Sequence, residues 1–162
     1  MKIYKIKILK LYTMVFLIIC MHQHLKSQLQ SVFTNMPLIS AQQLQEEMQS
    51  LQTNGTLKRK SCKNADLLVI NVLSRAVCVD CQIPGSINIP LHKLPKKSQE
   101  WRKDLNIVLH CASLHCPLST YAFDLLRKLG FTNVRVLSGG LQEWACKSFP
   151  RTGRCRAGYL RF

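Results

Sequence analysis

Short, almost wholly apolar runs alternate with amphipathic segments along most of the chain. Residues 67–72, 107–110 and 133–137 carry very few polar side chains, which is typical of parallel strands that are buried on both faces. In residues 83–90, Pro and Gly force a turn that leads into a brief extended segment. Because such strands alternate with helical segments, the pattern predicts an α/β domain with a mainly parallel sheet.

Two of the helices are marked by their end residues. Ser40 and Gln43 have the spacing of a capping box, which predicts that a helix begins there. A second helix is predicted from about Pro117 to just before Gly130, which suits the left-handed residue past a helix end. Residues 141–146 are predicted as a last short helix. The second helix should place one apolar stripe on the sheet, formed by Leu118, Tyr121, Ala122, Leu125, Leu126 and Leu129.

The chain divides into a leader of residues 1–35, a domain of residues 36–150 and a basic tail of residues 151–162. The leader has a lysine-rich start followed by an apolar stretch. Together these resemble the basic n-region and the hydrophobic h-region of a secretory signal peptide. The apolar stretch is shorter than the about 20 residues that a helix needs to span a bilayer. A non-native extension ahead of Met36 is an alternative interpretation. We expect a cytoplasmic protein, and the alternative is export or membrane anchoring through residues 1–21.

Length and composition predict one domain and a strongly basic chain. Its 162 residues are 47% hydrophobic, which is enough to bury one core. The 23 Lys and Arg against 8 Asp and Glu give a net charge of +15, which predicts attraction to anions. The basic residues are scattered and lack interleaved aromatics on which bases could stack, so there is no strong nucleic-acid signal. Membrane contact is expected only through residues 1–21.

The chain contains eight cysteines, an even number that invites a disulfide framework. We do not predict one, because the chain is long and apolar enough to fold without disulfide bonds. In addition, buried thiols behave as small hydrophobic groups. Cys78 and Cys81 have the spacing of a metal-ligand pair, but Cys111 and Cys116 are separated by four residues, unlike the usual second pair. We therefore predict no metal and no cofactor.

The most informative stretch is the turn between the strand of residues 107–110 and the helix that begins at about Pro117. In open α/β sheets, ligands bind where the carboxyl end of a strand meets the amino end of a helix. Main-chain amides and the helix dipole should favour the thiolate of Cys111 and lower its pKa, which makes it the candidate nucleophile. His110 is expected to pack at the strand end. The candidate substrate-binding loop is Ala112, Ser113, Leu114, His115 and Cys116.

Five tracts of the chain resemble the rhodanese-like domain in order and spacing, over about residues 37–150. The resemblance implies a three-layer α/β/α fold with a five-stranded, mainly parallel sheet. It also implies that Cys111 is the cysteine that carries sulfur on the active-site loop. The tracts are Leu67-Leu-Val-Ile-Asn-Val72, Ile83-Pro-Gly-Ser-Ile-Asn-Ile-Pro90, Ile107-Val-Leu-His-Cys111, Leu125-Leu-Arg-Lys-Leu-Gly-Phe-Thr-Asn-Val134 and Ser138-Gly-Gly-Leu-Gln-Glu-Trp144.

The chain departs from this family at chemically important positions. Asn71 and Leu73 replace the usual Asp and Arg of a strand-end motif, so both partners of an ion pair are lost together. Gln82 stands where the family prefers His. Cys116 replaces the arginine that would hold an oxyanion in two parallel hydrogen bonds, and a protonated His115 is a candidate to compensate in part.

The resemblance and the loop together predict a sulfurtransferase or sulfur carrier. Its partners would be a small anionic sulfur donor or a persulfide, and then an acceptor thiol, cyanide or protein cysteine. Cys116 is a candidate resolving cysteine that could form a disulfide with Cys111, or it merely fills space. The alternative function is a non-catalytic or redox-sensing binding module of the same fold. A phosphatase or arsenate reductase is disfavoured, because the loop is small and lacks a closing arginine.

Overall fold

The structure is a computed structural model that describes residues 14–23, 36–53 and 65–156. It divides into two units, Met1–Asn35 and Met36–Phe162. In the first unit, residues 14–23 form a helix, α1, whose residues are all exposed. The rest of the predicted leader lies outside the described residues. Among the helices that are described, none is long and apolar enough to cross a membrane.

The second unit is built on one sheet of five strands, in the order β1-β5-β4-β2-β3. Every neighbouring pair is parallel, so the connections between strands must cross over the sheet. This confirms the predicted five-stranded parallel sheet, and the three apolar runs of the sequence form its three central strands. The bounds are β1 Leu38–Ile39, β2 Leu68–Asn71, β3 Ile87–Asn88, β4 Ile107–His110 and β5 Val134–Leu137.

Helices cover both faces of the sheet, which confirms the predicted three layers. Their bounds are α2 Ala41–Thr53, α3 Arg75–Asp80, α4 Leu94–Lys97, α5 Leu118–Lys128 and α6 Gly140–Cys146, and a 3-10 turn at Leu91–Lys93 precedes α4. On one face, α2 and α6 bury side chains such as Leu44 and Trp144 against Val108 of β4. On the other face, α5 buries Phe123 and Leu126 against strand residues that point to that side of the sheet, such as Ile107 and Leu109 of β4. Burial of apolar area on both faces is the main stabilising contribution.

The predicted helix ends agree closely with the observed ones. The Ser40 N–H donates to Gln43 Oε1 at 3.0 Å, and the Gln43 N–H donates to Ser40 Oγ at 3.2 Å, so the capping box of α2 is formed. Pro117 is the N-cap of α5. Gly130 follows α5 with a φ of +88°, the left-handed conformation that the sequence analysis assigned to it.

Three short elements, β1, α3 and α4, were not predicted from the sequence, whereas β3 lies in the predicted extended segment of residues 83–90. β1 has only two residues, so it cannot show the alternation by which a strand is recognised. The six-residue helix α3 lies in a stretch in which the sequence analysis predicted no element, and α4 has only four residues. Segments this short take their conformation from tertiary contacts rather than from a local pattern.

The cysteine prediction needs one correction. Cys81 and Cys155 form a disulfide across 74 residues of sequence, although no disulfide was expected. The pairing could not be predicted because Cys155 lies far along the sequence, in the basic tail, and only the structure places this tail against the domain. Gln82 and Thr152 form an antiparallel bridge there, with two N–H···O contacts of 3.0 Å. We call residues 152–156 the C-terminal strap.

Candidate active site

Cys111 directly follows β4, at the carboxyl edge of the sheet. β4 lies between β5 and β2, and all four of its residues are buried. The loop of residues 111–116 then leads to Pro117 and the start of α5. The structure therefore has the strand, loop and helix arrangement that the sequence predicted, with the cysteine as the first loop residue.

The sulfur of Cys111 is buried and enclosed by close polar contacts. Only 1% of the residue is exposed. Its Sγ lies 3.1 Å from the carbonyl oxygen of Cys116 and 3.6 Å from that of Ser113. The hydroxyl of Ser119 lies 3.1 Å from the same sulfur. Because carbonyl oxygens accept hydrogen bonds, the Cys111 thiol keeps its proton and donates it in this conformation.

The predicted ionisation of Cys111 is wrong for this conformation of the loop. Burial raises the pKa of the Cys111 thiol above its usual value, because the charged form loses its hydration. Hydrogen bonds from Ser119 act in the opposite direction, and the neighbouring Cys116 raises the pKa further. Main-chain amides were expected around the sulfur. One main-chain hydrogen bond, from Ser119, is present, but the carbonyl groups of Ser113 and Cys116 face the sulfur as well.

The start of α6 holds the first residues of the loop in place. The Leu141 N–H donates to the Cys111 carbonyl at 3.0 Å, and the Gln142 N–H donates to the Ala112 carbonyl at 2.9 Å. Gly140 makes this approach sterically feasible. Its φ is +58°, and a Cβ atom at this position would lie 2.8 Å from the Cys111 carbonyl oxygen and 2.9 Å from the Ser113 nitrogen.

The five residues of the predicted binding loop do not share one environment. Ser113 is buried, and its carbonyl accepts the Cys116 N–H at 3.1 Å. Leu114 and His115 are exposed at the tip of the loop. Ala112 and Cys116 are half-buried and pack against the core cluster that contains Cys111. The structure thus brings Cys116 next to Cys111 and leaves Leu114 and His115 facing solvent.

Ser119 is a candidate functional residue that the sequence analysis missed. It is the second residue of α5, is 4% exposed, and has its Oγ in contact with the Cys111 sulfur. One signal was available: Ser119 lies in the first turn of the predicted helix, next to the loop that begins with Cys111.

His110 and Asn71 form a buried polar pair at the ends of β4 and β2, where they are register partners. Both are 0% exposed, and neither ring nitrogen of His110 has a hydrogen-bond partner among the described residues. Burial lowers the pKa of His110 to about 4, so the ring is neutral near pH 7. Because side chains alternate along a strand, His110 points to the face opposite Cys111. This confirms that His110 packs at the strand end.

A cavity and a metal centre are the other kinds of site to consider among the described residues. A cavity of about 500 Å³ lies at the amino edge of the sheet and contains none of the predicted site residues. Within residues 14–23, 36–53 and 65–156, no group of three or more His, Cys, Asp or Glu side chains is placed to hold a metal ion. Cys81 cannot join Cys78 as a metal ligand while it is disulfide-bonded.

Comparison with known sequences identifies related proteins. The sequence model of the family described as Rhodanese-like domain matches residues 40–147. A sulfurtransferase of Allochromatium vinosum is 27% identical over 95 residues, which are 59% of this chain and 87% of that protein. An HTH-type transcriptional regulator of Mycobacterium tuberculosis is 34% identical over 68 residues, but these cover only 30% of the regulator and 42% of this chain.

Solved structures show the same fold. The BH2092 protein of Bacillus halodurans matches with a TM-score of 0.58 at 20% identity, over 83% of this chain and 85% of its own. A thiosulfate sulfurtransferase of Pseudomonas aeruginosa matches with a TM-score of 0.56 at 16% identity, over 74% of this chain and 21% of its own. At such identities these similarities establish the architecture alone.

Proposed function

Because this chain belongs to the rhodanese-like domain family, we propose that it takes up sulfane sulfur as a Cys111 persulfide and passes it to a thiol, cyanide or a protein acceptor. The observation that carries the proposal is the position of Cys111. It is the first residue of the loop between β4 and α5, and its sulfur touches a buried hydroxyl. The small donor class that suits a tight loop is thiosulfate or a low-molecular-weight persulfide.

The transfer is a nucleophilic displacement at sulfur. The Cys111 thiol loses its proton, and the thiolate attacks the outer sulfur of the donor. The S–S bond of the donor breaks, and the leaving group departs with the electron pair, as sulfite when thiosulfate is the donor. A persulfide remains on Cys111. An acceptor thiolate then attacks its terminal sulfur and releases Cys111. In this scheme Ser119 stabilises the anionic sulfur by donating its hydroxyl hydrogen.

Burial of the thiol makes the proposed loading dependent on pH. Since the pKa of Cys111 is raised, little thiolate exists near neutral pH, and its population grows as the pH rises toward that pKa. We expect the rate of Cys111 alkylation by iodoacetamide to rise about tenfold per pH unit between pH 7 and 9. Mass spectrometry of the peptide that contains Cys111 measures this rate. A rate that has already levelled off at pH 7 would contradict the raised pKa.

Intact-mass spectrometry tests the proposed function directly. After incubation with thiosulfate or, separately, with glutathione persulfide, we expect the chain to gain one sulfur atom. Cys111→Ser should abolish that gain, whereas Cys146→Ser, which removes an exposed cysteine, should leave it unchanged. A gain that persists in Cys111→Ser and disappears in Cys116→Ser would move the nucleophile to Cys116. No uptake from either donor would favour a non-catalytic binding module.

Ser119→Ala is expected to slow sulfur loading at pH 7.5 about fivefold. The physical reason is the loss of one hydrogen bond to the developing thiolate, which contributes about 1 kcal/mol. Loading is measured by the mass gain over time, and the alkylation profile against pH should move toward higher pH in parallel. Thr120→Ala, one position further along α5, is the matched control. Equal loading rates and pH profiles for Ser119→Ala and the wild type would remove Ser119 from the site.

A second candidate function, redox sensing, is favoured by the contact between Cys111 and Cys116. The two cysteines interact through their side chains, and the main chain of Cys116 touches the Cys111 sulfur. Cys116 could attack the persulfide, which releases sulfide and leaves a Cys111–Cys116 disulfide. This reaction predicts that sulfide is released without an acceptor in the wild type but not in Cys116→Ser.

The compartment is part of the proposal, because one observation bears on it. Disulfides persist mainly in oxidising compartments, and the Cys81–Cys155 bond therefore favours the exported alternative over the cytoplasmic one. The signal-like pattern of residues 1–21 points in the same direction.

A further inference from the structure

The C-terminal strap is attached to the domain at one small place, the end of α3. The Cys155 N–H donates to the Asp80 carbonyl at 2.7 Å, and Arg156 Nε lies 2.8 Å from Asp80 Oδ1. Gly153 has a φ of +100°, and a Cβ atom there would lie 2.4 Å from the Asp80 carbonyl oxygen. With the disulfide to Cys81, these contacts hold the strap against residues 80–82.

A third cysteine lies beside this attachment. Cys78 is a free thiol that is 3% exposed, and it lies three residues before Cys81 in the same short segment. The Cys81 N–H still donates to the Val77 carbonyl at 3.4 Å, so the end of α3 keeps Cys81 within one helical turn of Cys78, although Cys81 itself is extended with a φ of −155°. The Cys78 thiol donates to Oε1 of Gln82, the residue whose main chain bridges to the strap, at 3.3 Å. The Cys78 thiol, a potential nucleophile, therefore lies close to the Cys81–Cys155 disulfide.

We propose that Cys78, Cys81 and Cys155 form a second cysteine site, in which thiol–disulfide exchange moves the bond from Cys81–Cys155 to Cys78–Cys81 and releases the strap. The Cys78 thiol first loses its proton, and the thiolate then attacks Cys81 Sγ. The Cys78–Cys81 bond forms while the Cys81–Cys155 bond breaks. Cys155 leaves as a thiolate and takes up a proton. Atoms and electrons balance within the chain, so no external oxidant or reductant is needed.

Burial sets when this exchange can occur. Burial raises the pKa of Cys78, so the thiol is protonated and unreactive while α3 is folded. The helix α3 has only six residues, so local opening exposes Cys78 without unfolding the sheet. The released Cys155 would then be a surface thiol in the basic tail, open to modification by small disulfides. The proposal does not involve Cys111 and is independent of the proposed function.

Trypsin separates the two bonding patterns cleanly. Cleavage after Arg75 and Lys93 gives one peptide, residues 76–93, which contains both Cys78 and Cys81. Cleavage around Cys155 gives the dipeptide 155–156. The starting state is therefore peptide 76–93 linked to this dipeptide. The exchanged state is peptide 76–93 with an internal disulfide, together with a free dipeptide thiol that N-ethylmaleimide can trap.

The experiment incubates the purified full chain, without reductant, with N-ethylmaleimide at pH 8 and follows these peptides over time. We expect alkylated Cys155 and internally bonded peptide 76–93 to appear together at equal rates. In Cys78→Ser, release of Cys155 should slow at least about tenfold. Cys78→Ala repeats the test if serine destabilises the buried position. Cys146→Ser is the control and should behave as the wild type.

Three results would overturn the proposal. The first is a chain purified without reductant in which Cys81 and Cys155 are both alkylated from the start. The second is peptide 76–93 that carries N-ethylmaleimide on Cys78 and remains linked to Cys155. The third is the same rate of Cys155 release in the wild type and in both Cys78 variants. Each of these can be observed whether or not Cys111 takes up sulfur.

Discussion

Gly140→Ala is expected to lower the free energy of unfolding by about 2–4 kcal/mol and to reduce sulfur loading of Cys111 at least tenfold. The new Cβ atom would lie within 3 Å of three main-chain atoms of the loop, which belong to Cys111, Ala112 and Ser113. Main-chain atoms cannot rotate away as a flexible side chain can. The loop must shift, and the two hydrogen bonds from α6 to the Cys111 and Ala112 carbonyls must lengthen.

Gly130→Ala separates this steric effect from the cost of backbone conformation. Gly130 also has a positive φ, of +88°, but a Cβ atom there would meet nothing within 4 Å. The Gly130→Ala substitution should therefore lower the free energy of unfolding by only about 1 kcal/mol and leave sulfur loading unchanged. Urea unfolding gives the free energies, and intact mass gives the loading. If both glycine variants lose the same stability and Gly140→Ala still loads at the wild-type rate, the close contact between α6 and the loop does not control the site.

The wild-type protein is expected to lose about 3 kcal/mol of stability from His110 as the pH falls from 6.5 to 4. The sign follows from the two pKa values. In the folded chain the pKa of His110 is about 4, whereas an unfolded histidine titrates near 6.5. Below pH 6.5 the unfolded state therefore binds a proton that the folded state does not. The stability is fully present above pH 6.5 and is lost as the pH falls toward 4.

His110→Leu should remove this component of the acid sensitivity, because leucine has no group to protonate. The measurement is the free energy of unfolding from urea titrations at several pH values between 7 and 4. Its slope against pH is compared, so a constant change in stability from repacking does not affect the result. His92→Gln, at an exposed position, should keep the wild-type slope. Identical slopes for His110→Leu and the wild type would contradict the lowered pKa, because His110 would then bind its proton equally in the folded and unfolded chains.

Most of the fold could be predicted because its signals are local. The central strands are short runs in which every residue is apolar or nearly so, and this pattern reflects burial on both faces. The capping box at Ser40 and the glycine after α5 depend on residues close in sequence. β1 and α3 were missed because two and six residues carry too little periodicity, and β1 pairs with β5, which lies about 100 residues further along the chain.

The candidate site was predicted in position but not in chemical state. The spacing of β4, Cys111 and α5 placed the cysteine correctly at the carboxyl edge of the sheet. The expected ring of amides is incomplete, with one main-chain hydrogen bond from Ser119, because the orientation of six loop residues cannot be inferred from composition. Two carbonyl groups face the sulfur, and burial raises its pKa.

The sequence by itself determined the α/β class with its mainly parallel sheet, the order of its main elements and the cysteine that begins the loop, because these depend on side-chain patterns between near neighbours. Tertiary structure decided the rest. Cys81 meets Cys155 across 74 residues, and α6 closes on the loop only because Gly140 has no side chain. Such contacts depend on the packing of distant segments, and packing also sets the burial that controls the protonation of Cys111 and His110.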